Sequence, residues 1–284
     1  MSRSGTVPDQ GGRGLALDLR DGEAVTEAVR SVSPGVVYHL AALSSVGRSW
    51  EAPAETLNDN VGTAVNLLEA LRLAAPDARV LWVSSCEVYG NPEVLPTPED
   101  AALHPANPYA VSKASGELLA DVYAKSYGLD IVRARPFSHS GPGQRSIFIQ
   151  SSLARQAAEG RRAGVSRLRV VTGNGATRRD FTDVRDVVRA YRLLAERAPA
   201  GVYNVSSGVS VSAAEQVALL AELIAPIEVD HVVDSARVRA NEVTELRGDH
   251  ARLTAATGWQ PEIPLRQTMA DAIAWWELEL GRGS

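Results

Sequence analysis

Cysteine is all but missing from this sequence, with Cys86 the single example. One thiol excludes an internal disulfide and any cysteine-cluster metal site, and it fits a reducing compartment. His39, His104, His139, His231 and His250 show no metal-ligand spacing, so no metal is expected. No stretch approaches the ~20 apolar residues that a membrane span requires. The opening "MSRSGTVPDQGGRG" lacks the apolar run of a signal peptide. Basic residues are scattered rather than massed and the net charge is −5, so no surface for nucleic acid or anionic membrane is advertised. Repeats and low-complexity segments are also missing. These absences predict a cytoplasmic protein whose partners are small molecules or a second copy of itself.

What is present is enough chain for a full core: 284 residues, 45% of them hydrophobic. Strand-like runs, "RGLALDL" from Arg13, "GVVYHLA" from Gly35, "RVLWVSS" from Arg79 and "DIVRARP" from Asp130, alternate with helical patterns. In "DGEAVTEAVRSV", "AETLNDNVGTAVNLLEALRLA" and "PYAVSKASGELLADVYAKSYG" apolar residues recur every three or four positions. Strands apolar on both faces, separated by helices, predict an α/β fold with a doubly wound parallel sheet. Past Pro136 the turn-rich "FSHSGPGQRS" predicts a crossing into a second, smaller mixed α/β lobe. A helix from about Phe148, a strand "RLRVV", a helix over Val184 to Glu196, a strand "GVYNVS", and helices over Ala213 to Leu223 and Leu265 to Leu278 follow. The expected division is a dinucleotide-binding domain over 1–140 and a substrate lobe over 141–284, with about 183–206 returning to the sheet. Ligands of open α/β sheets sit at the carboxyl ends of the strands.

The stretch "NPYAVSK" sets Tyr109 and Lys113 four residues apart at the start of a helix, which puts phenol and ammonium on one face. A neighbouring cation favours the charged form of a tyrosine, so such a pair can move a proton near neutral pH. The pair follows a strand that ends in "SSCEVYG", where a hydroxyl, a thiol, a carboxylate and a phenol fall within seven residues.

Together "YHLAA", "SSCEVYG", "NPYAVSK", "RPFSHSGPGQ", "RRDFTDVRDVVRAY" and "ANEVTELRGD" resemble the extended short-chain dehydrogenases, the NAD-dependent epimerase/dehydratase group. The last three look most like enzymes that handle GDP-mannose and GDP-4-keto-6-deoxymannose. The resemblance runs from about Arg13 to Trp276 and implies NAD or NADP as cofactor and a nucleotide sugar as substrate. It implies that Ser85 hydrogen-bonds the sugar O4, Tyr109 takes the O4 proton, and Lys113 holds the tyrosinate and the nicotinamide ribose. In a 4,6-dehydratase Glu87 would then remove the C5 hydrogen while Cys86 passes a proton to the departing O6. An unperturbed thiol, with a pKa of about 8.5, is mostly protonated at neutral pH and can donate. Asp18 and Leu19 would meet the adenine, Ala41 and Ala42 would allow close approach of the pyrophosphate and ribose, and Asn60 would complete the cofactor side. Ser138, Arg179, Arg239 and Glu242 would grip the substrate, guanidinium groups suiting phosphate by their fixed fork of donors. Ala240 and Ser138 stand where the family commonly has proline and asparagine. His139 is expected to be structural, and Tyr89 to serve packing and orientation.

The family's opening strand, its G-x-x-G-x-x-G turn, helix and second strand have no counterpart here. The glycines of "QGGRG" precede the strand that should be third and are rejected as a phosphate loop. The segment "MSRSG" resembles the stretch just after the second family strand, where Arg3 could face an NADP 2′-phosphate. The expectations are that a strand and glycine turn are encoded upstream of Met1, or that the short chain is a degenerate binder of sugar nucleotides without catalysis. The leading expectation is a GDP-mannose-type 4,6-dehydratase, with a GDP-4-keto-6-deoxymannose reductase or an epimerase as rivals. A homodimer through the helices containing Asn60 and Tyr109 is implied by the same resemblance.

Overall fold

The computed structural model describes residues 14–234 and 243–282. In chain order its elements begin with α1 (Gly22–Val32), β1 (Val36–His39), α2 (Val46–Glu51), α3 (Pro53–Ala74) and β2 (Arg79–Val83). A 3-10 turn (Cys86–Tyr89), α4 (Pro108–Tyr127), β3 (Ile131–Pro136), β4 (Ser138–Ser140) and α5 (Ile149–Arg162) come next. Then come β5 (Arg167–Thr172), β6 (Arg178–Asp183), α6 (Val184–Arg197), β7 (Gly201–Val205) and β8 (Ser210–Ser212). The chain closes with α7 (Ala213–Ile224), β9 (Glu228–Val233), β10 (Glu245–Leu246), α8 (Ala251–Thr257) and α9 (Leu265–Arg282).

Two compact units share the chain by interleaving. The first takes Met1–Gly90, Leu103–Arg135 and Leu194–Val202, and the second takes Asn91–Ala102, Pro136–Leu193 and Tyr203–Ser284. Against the expected border at 140, the first unit gives up Asn91–Ala102 and Pro136–Ser140, and of the expected return over about 183–206 it takes Leu194–Val202. Arg79 anchors that returning piece: its guanidinium binds the Asp130 carboxylate at 2.6 Å and the carbonyls of Leu194 and Ala198. The second unit holds more residues than the first.

The first unit carries the Rossmann-like parallel α/β sheet, in strand order β1-β2-β3-β7, with β7 entering from Gly201 and Val202. β1 pairs in parallel with β2, and β2 with β3. β2 and β3 are buried along nearly their whole length, as continuous apolar strands covered on both faces should be. Val25, Val29, Leu67, Leu68, Leu71, Val80, Trp82 and Ile131 form the core between α1, α3 and the sheet. Each such side chain contributes about 1.5–3 kcal/mol on full burial. The strand expected over "RGLALDL" is reduced to one bridged residue, Ala16. A strand exists only through its ladder, and here Leu17 and Leu19 pack against the helical core instead.

In the second unit β6 is flanked by β10 and β4 in parallel, with β8 antiparallel to it, and β5 pairs with β9. β4 lies inside "FSHSGPGQRS", so part of the expected turn region is strand. A second core joins Leu153, Val170, Val217, Leu220, Ile224, Met269 and Ile273. No helix among the described residues is long and apolar enough to cross a membrane.

Candidate active site

The carboxyl end of β2 turns sharply. Ser85 is extended, its hydroxyl accepts the Glu87 N–H at 3.2 Å, and Cys86–Tyr89 wind into the 3-10 turn. Gly90 ends it at φ 63°, where a Cβ would meet the His104 carbonyl oxygen at 1.9 Å, so only glycine fits. The turn is thereby clamped: His104 N–H donates to the Val88 carbonyl at 3.0 Å.

Helix α4 begins with Asn107 as cap and Pro108 in its first turn, a favoured start because proline lacks only an N–H that would be unpaired there. The Asn107 side-chain oxygen accepts the Ala110 N–H at 2.8 Å, while its amide nitrogen donates to Glu87 Oε2 at 3.0 Å. One residue thus starts the helix that carries Tyr109 and aims the carboxylate opposite it. Tyr109 is buried and its hydroxyl is hydrogen-bonded to Ser85, with Cys86 and Glu87 close enough to act on its charge. Lys113, one turn on, is 9% exposed and donates to the Val83 carbonyl at 2.5 Å. The structure therefore gathers Ser85, Cys86, Glu87 and Tyr109 into one cluster, with Lys113 on the next turn of α4 bonded to the Val83 carbonyl at the end of β2.

Burial dominates its electrostatics. It pushes the Tyr109 phenol well above its usual value, with the Ser85 hydrogen bond opposing and the Cys86 and Glu87 charges adding to the rise. It lowers the Lys113 ammonium to about 8, and Glu117, on the next turn, opposes that fall. His39, at the end of β1, lies against Trp82 at 4.5 Å between ring centroids. Burial first, and the Lys113 charge second, bring His39 to about 3, so it is neutral at physiological pH.

Comparison with known proteins matches residues 13–272 to the family model described as GDP-mannose 4,6 dehydratase. The chain belongs to the GDP-mannose 4,6-dehydratase family. A GDP-6-deoxy-D-mannose reductase of Pseudomonas aeruginosa is 41% identical over 247 residues, covering 86% of this chain and 81% of the relative. A GDP-mannose 4,6-dehydratase of Vibrio cholerae is 27% identical over 289 residues, covering 90% of this chain and 76% of the relative. Among solved structures, that of RMD from Pseudomonas aeruginosa complexed with NADPH superposes with a TM-score of 0.84 at 35% identity, covering 96% of this chain and 89% of that one.

The Asp18 carboxylate is bound by Arg20 at 2.6–3.1 Å, and the Leu19 carbonyl accepts from Asn66 at 2.9 Å. Ala41 and Ala42 follow β1 in irregular, accessible backbone. Asn60 is a tie within the unit: its amide bonds the Leu43 N–H at 2.7 Å, the Leu43 carbonyl at 3.1 Å and Ser112 Oγ at 2.8 Å. With oxygen and nitrogen both occupied, it positions the loop after β1 and helix α4. In the second unit Ser138 lies on β4, and Arg179 spends one guanidinium nitrogen on the carbonyls of Arg178 and Val243, each at 2.9 Å. His139 is half-buried with Nδ1 at 3.1 Å from the Phe137 carbonyl. Arg3, Arg239 and Glu242 lie outside the described residues. Sequence reading missed Asn107 as the residue that steers Glu87; the Asn-Pro pair marks a helix start but not a contact twenty residues back.

Proposed function

We propose that the protein is an NAD(P)-dependent oxidoreductase acting at C4 of a GDP-linked hexose, and that it reduces a 4-keto-6-deoxy sugar. The observation that carries this is the Ser85–Tyr109 hydroxyl pair with the Lys113 ammonium one helical turn away. The 41% identity to a GDP-6-deoxy-D-mannose reductase supports the substrate class and the direction. The relative complexed with NADPH supports the cofactor. The residues present suit a dinucleotide: Ser84 keeps a buried hydroxyl with no hydrogen-bond partner among the described residues, and Lys113 has three N–H donors and one described acceptor. A ribose diol matches that donor set. Bound nicotinamide supplies the hydride.

The protein's part is the proton. Burial keeps Tyr109 protonated at neutral pH, the state needed to give a proton to O4 as a C4 carbonyl is reduced. Ser85, hydrogen-bonded to Tyr109, would hold the same oxygen, and the Lys113 ammonium one turn along α4 would stabilise the phenolate left behind. A second reading, dehydration of GDP-mannose, is favoured by Glu87, whose carboxylate Asn107 fixes beside Tyr109 as a base for a C5 proton. Cys86, 4% exposed, would serve as the acid for O6 in that reading.

Purified protein given GDP-4-keto-6-deoxymannose and reduced nicotinamide should consume the cofactor and the ketone together. A 4-keto product from GDP-mannose without net cofactor consumption would instead establish the dehydratase. Sugar-nucleotide binding with neither activity leaves a non-catalytic binder. We place the protein in the cytoplasm, a reducing compartment that its single free thiol fits, and as a homodimer. Val111, Leu118 and Val122 leave an exposed apolar stripe along α4, which a second copy would cover. Light scattering that gives a monomer mass rejects the dimer.

A further inference from the structure

Next to Lys113 lies an ion pair that the proton chemistry above does not use. Glu117, 2% exposed, follows Lys113 by four residues on α4. Arg135, on β3, grips it as a fork: Nε donates to Oε1 at 3.0 Å and Oε2 at 3.1 Å, and Nη2 to Oε1 at 2.6 Å. Arg135 is fixed in turn by the 3-10 turn, with Nη1 donating to Tyr89 Oη at 2.8 Å and the guanidinium lying 4.9 Å from the Tyr89 ring centroid. All of these groups belong to the first unit.

Residues four apart on a helix are neighbours, so a carboxylate with no other partner at 117 would close onto the Lys113 ammonium. A lysine locked in such a pair has its charge spent before any ligand arrives. A buried lysine left beside the guanidinium alone would give up its proton more readily, because burial and a neighbouring like charge both disfavour the charged form. The arrangement here lies between the two. The carboxylate stays close enough to support the ammonium, yet both its oxygens are held by Arg135, and Lys113 directs its bond to the Val83 carbonyl instead.

We propose that Glu117 and Arg135 are positioning residues for Lys113: the carboxylate steadies the buried ammonium, and the guanidinium fork keeps that carboxylate from capturing it. The inference rests on the proposed function only in giving Lys113 a task. The titratable and charged groups about the ammonium come from each element packed there. They are Tyr109 and Glu117 on its own helix, His39 from β1, Arg135 from β3, and Cys86 and Glu87, which act on Tyr109 from the 3-10 turn.

The sequence makes the test direct, because Lys113 and Lys125 are its only lysines. Lys125 is exposed and paired with Asp121 at 2.6 Å, so it serves as an internal standard. NMR titration of the full chain labelled with 13Cε-lysine gives two signals, and Lys113→Met identifies which is which. Glu117→Gln should move the Lys113 midpoint down by about one pH unit, and Arg135→Met should move it up by about as much. The double variant, with both charges gone, should return to within about half a unit of the parent. Opposite shifts are the signature, since a purely architectural pair would disturb Lys113 in the same sense, or not at all, when either half is removed. Single variants that shift alike, or that leave Lys113 unmoved, overturn the inference. Should Arg135→Met not fold, the double variant must still titrate above Glu117→Gln, and equality of those two is equally fatal. The readout needs no substrate: absent turnover with opposite shifts sinks the functional reading alone, and turnover with unmoved midpoints sinks this one alone.

Discussion

Asp180 and Lys113 are both nearly sealed from water, yet they are treated in opposite ways. Asp180, in the second unit, has its oxygens filled: it accepts from the Ser207 N–H and hydroxyl, the Gly208 N–H and the Gly248 N–H at 2.6–3.2 Å. Asp186 is similar, accepting the N–H groups of Glu262 and Ile263 and a guanidinium nitrogen of Arg189. Lys113, in the first unit, has one described acceptor for three donors, and the Ser84 hydroxyl beside β2 has none. A saturated buried group holds the fold; an undersupplied one costs stability and persists where a ligand completes it. Between these groups the difference follows the line between a tie that holds the fold and the chemistry proposed for Lys113.

The comparison can be broken most forcefully at Tyr109. Tyr109→Phe should lower turnover by about 10²–10⁴-fold, the usual worth of a positioned proton donor, while thermal unfolding stays near that of the parent. A fall in melting temperature that accounts for the lost activity would put Tyr109 on the architectural side. At the saturated pole, Asp180→Ala strands several buried donors at about 1–3 kcal/mol each, so a loss of about 3 kcal/mol or more is expected in urea unfolding.

Lys113→Met should act in the opposite sense. The Lys113 pKa is near 8 when folded against 10.5 ordinarily, so between those values the unfolded chain binds the extra proton and stability climbs with pH. Below pH 8 the buried charge is therefore a cost. The methionine variant should be more stable at neutral pH by roughly 2–3 kcal/mol, less the hydrogen bond to Val83, and that advantage should fade as pH rises toward 10.5. An equal or lower stability at neutral pH would show that Lys113 is already satisfied. The smallest effect is expected at Asn107→Ala, about 1 kcal/mol for the lost cap. If Glu87 takes part in chemistry, turnover should fall in the same variant beyond what its stability explains.

Tyr109 and Lys113 were singled out by helical spacing together with their place after a strand ending in Ser84 and Ser85 and the family resemblance, and β2 by its continuous apolar run. β6 was not read as a strand: "RRDFTD" has no apolar alternation, and Arg178 and Arg179 are held by Ser210 and by the carbonyls of Arg178 and Val243. The reverse error arose at Gly14–Leu19, where alternating leucines imitate a strand but only Ala16 finds a bridge. The pairs that organise the site, Asn107 with Glu87 and Arg135 with Glu117, join residues 20 and 18 positions apart. Periodicity reports which face a side chain shares and is silent on which residue meets it across the fold.

The shared amide of Asn107 ties two events into one. Fraying of the first turn of α4 would release the Ala110 N–H and, in the same motion, let the Glu87 carboxylate swing away from its post. Hydrogen exchange at Ala110 is therefore a backbone reporter for a side chain it never touches, and any ligand that draws Glu87 toward itself should register there as faster exchange.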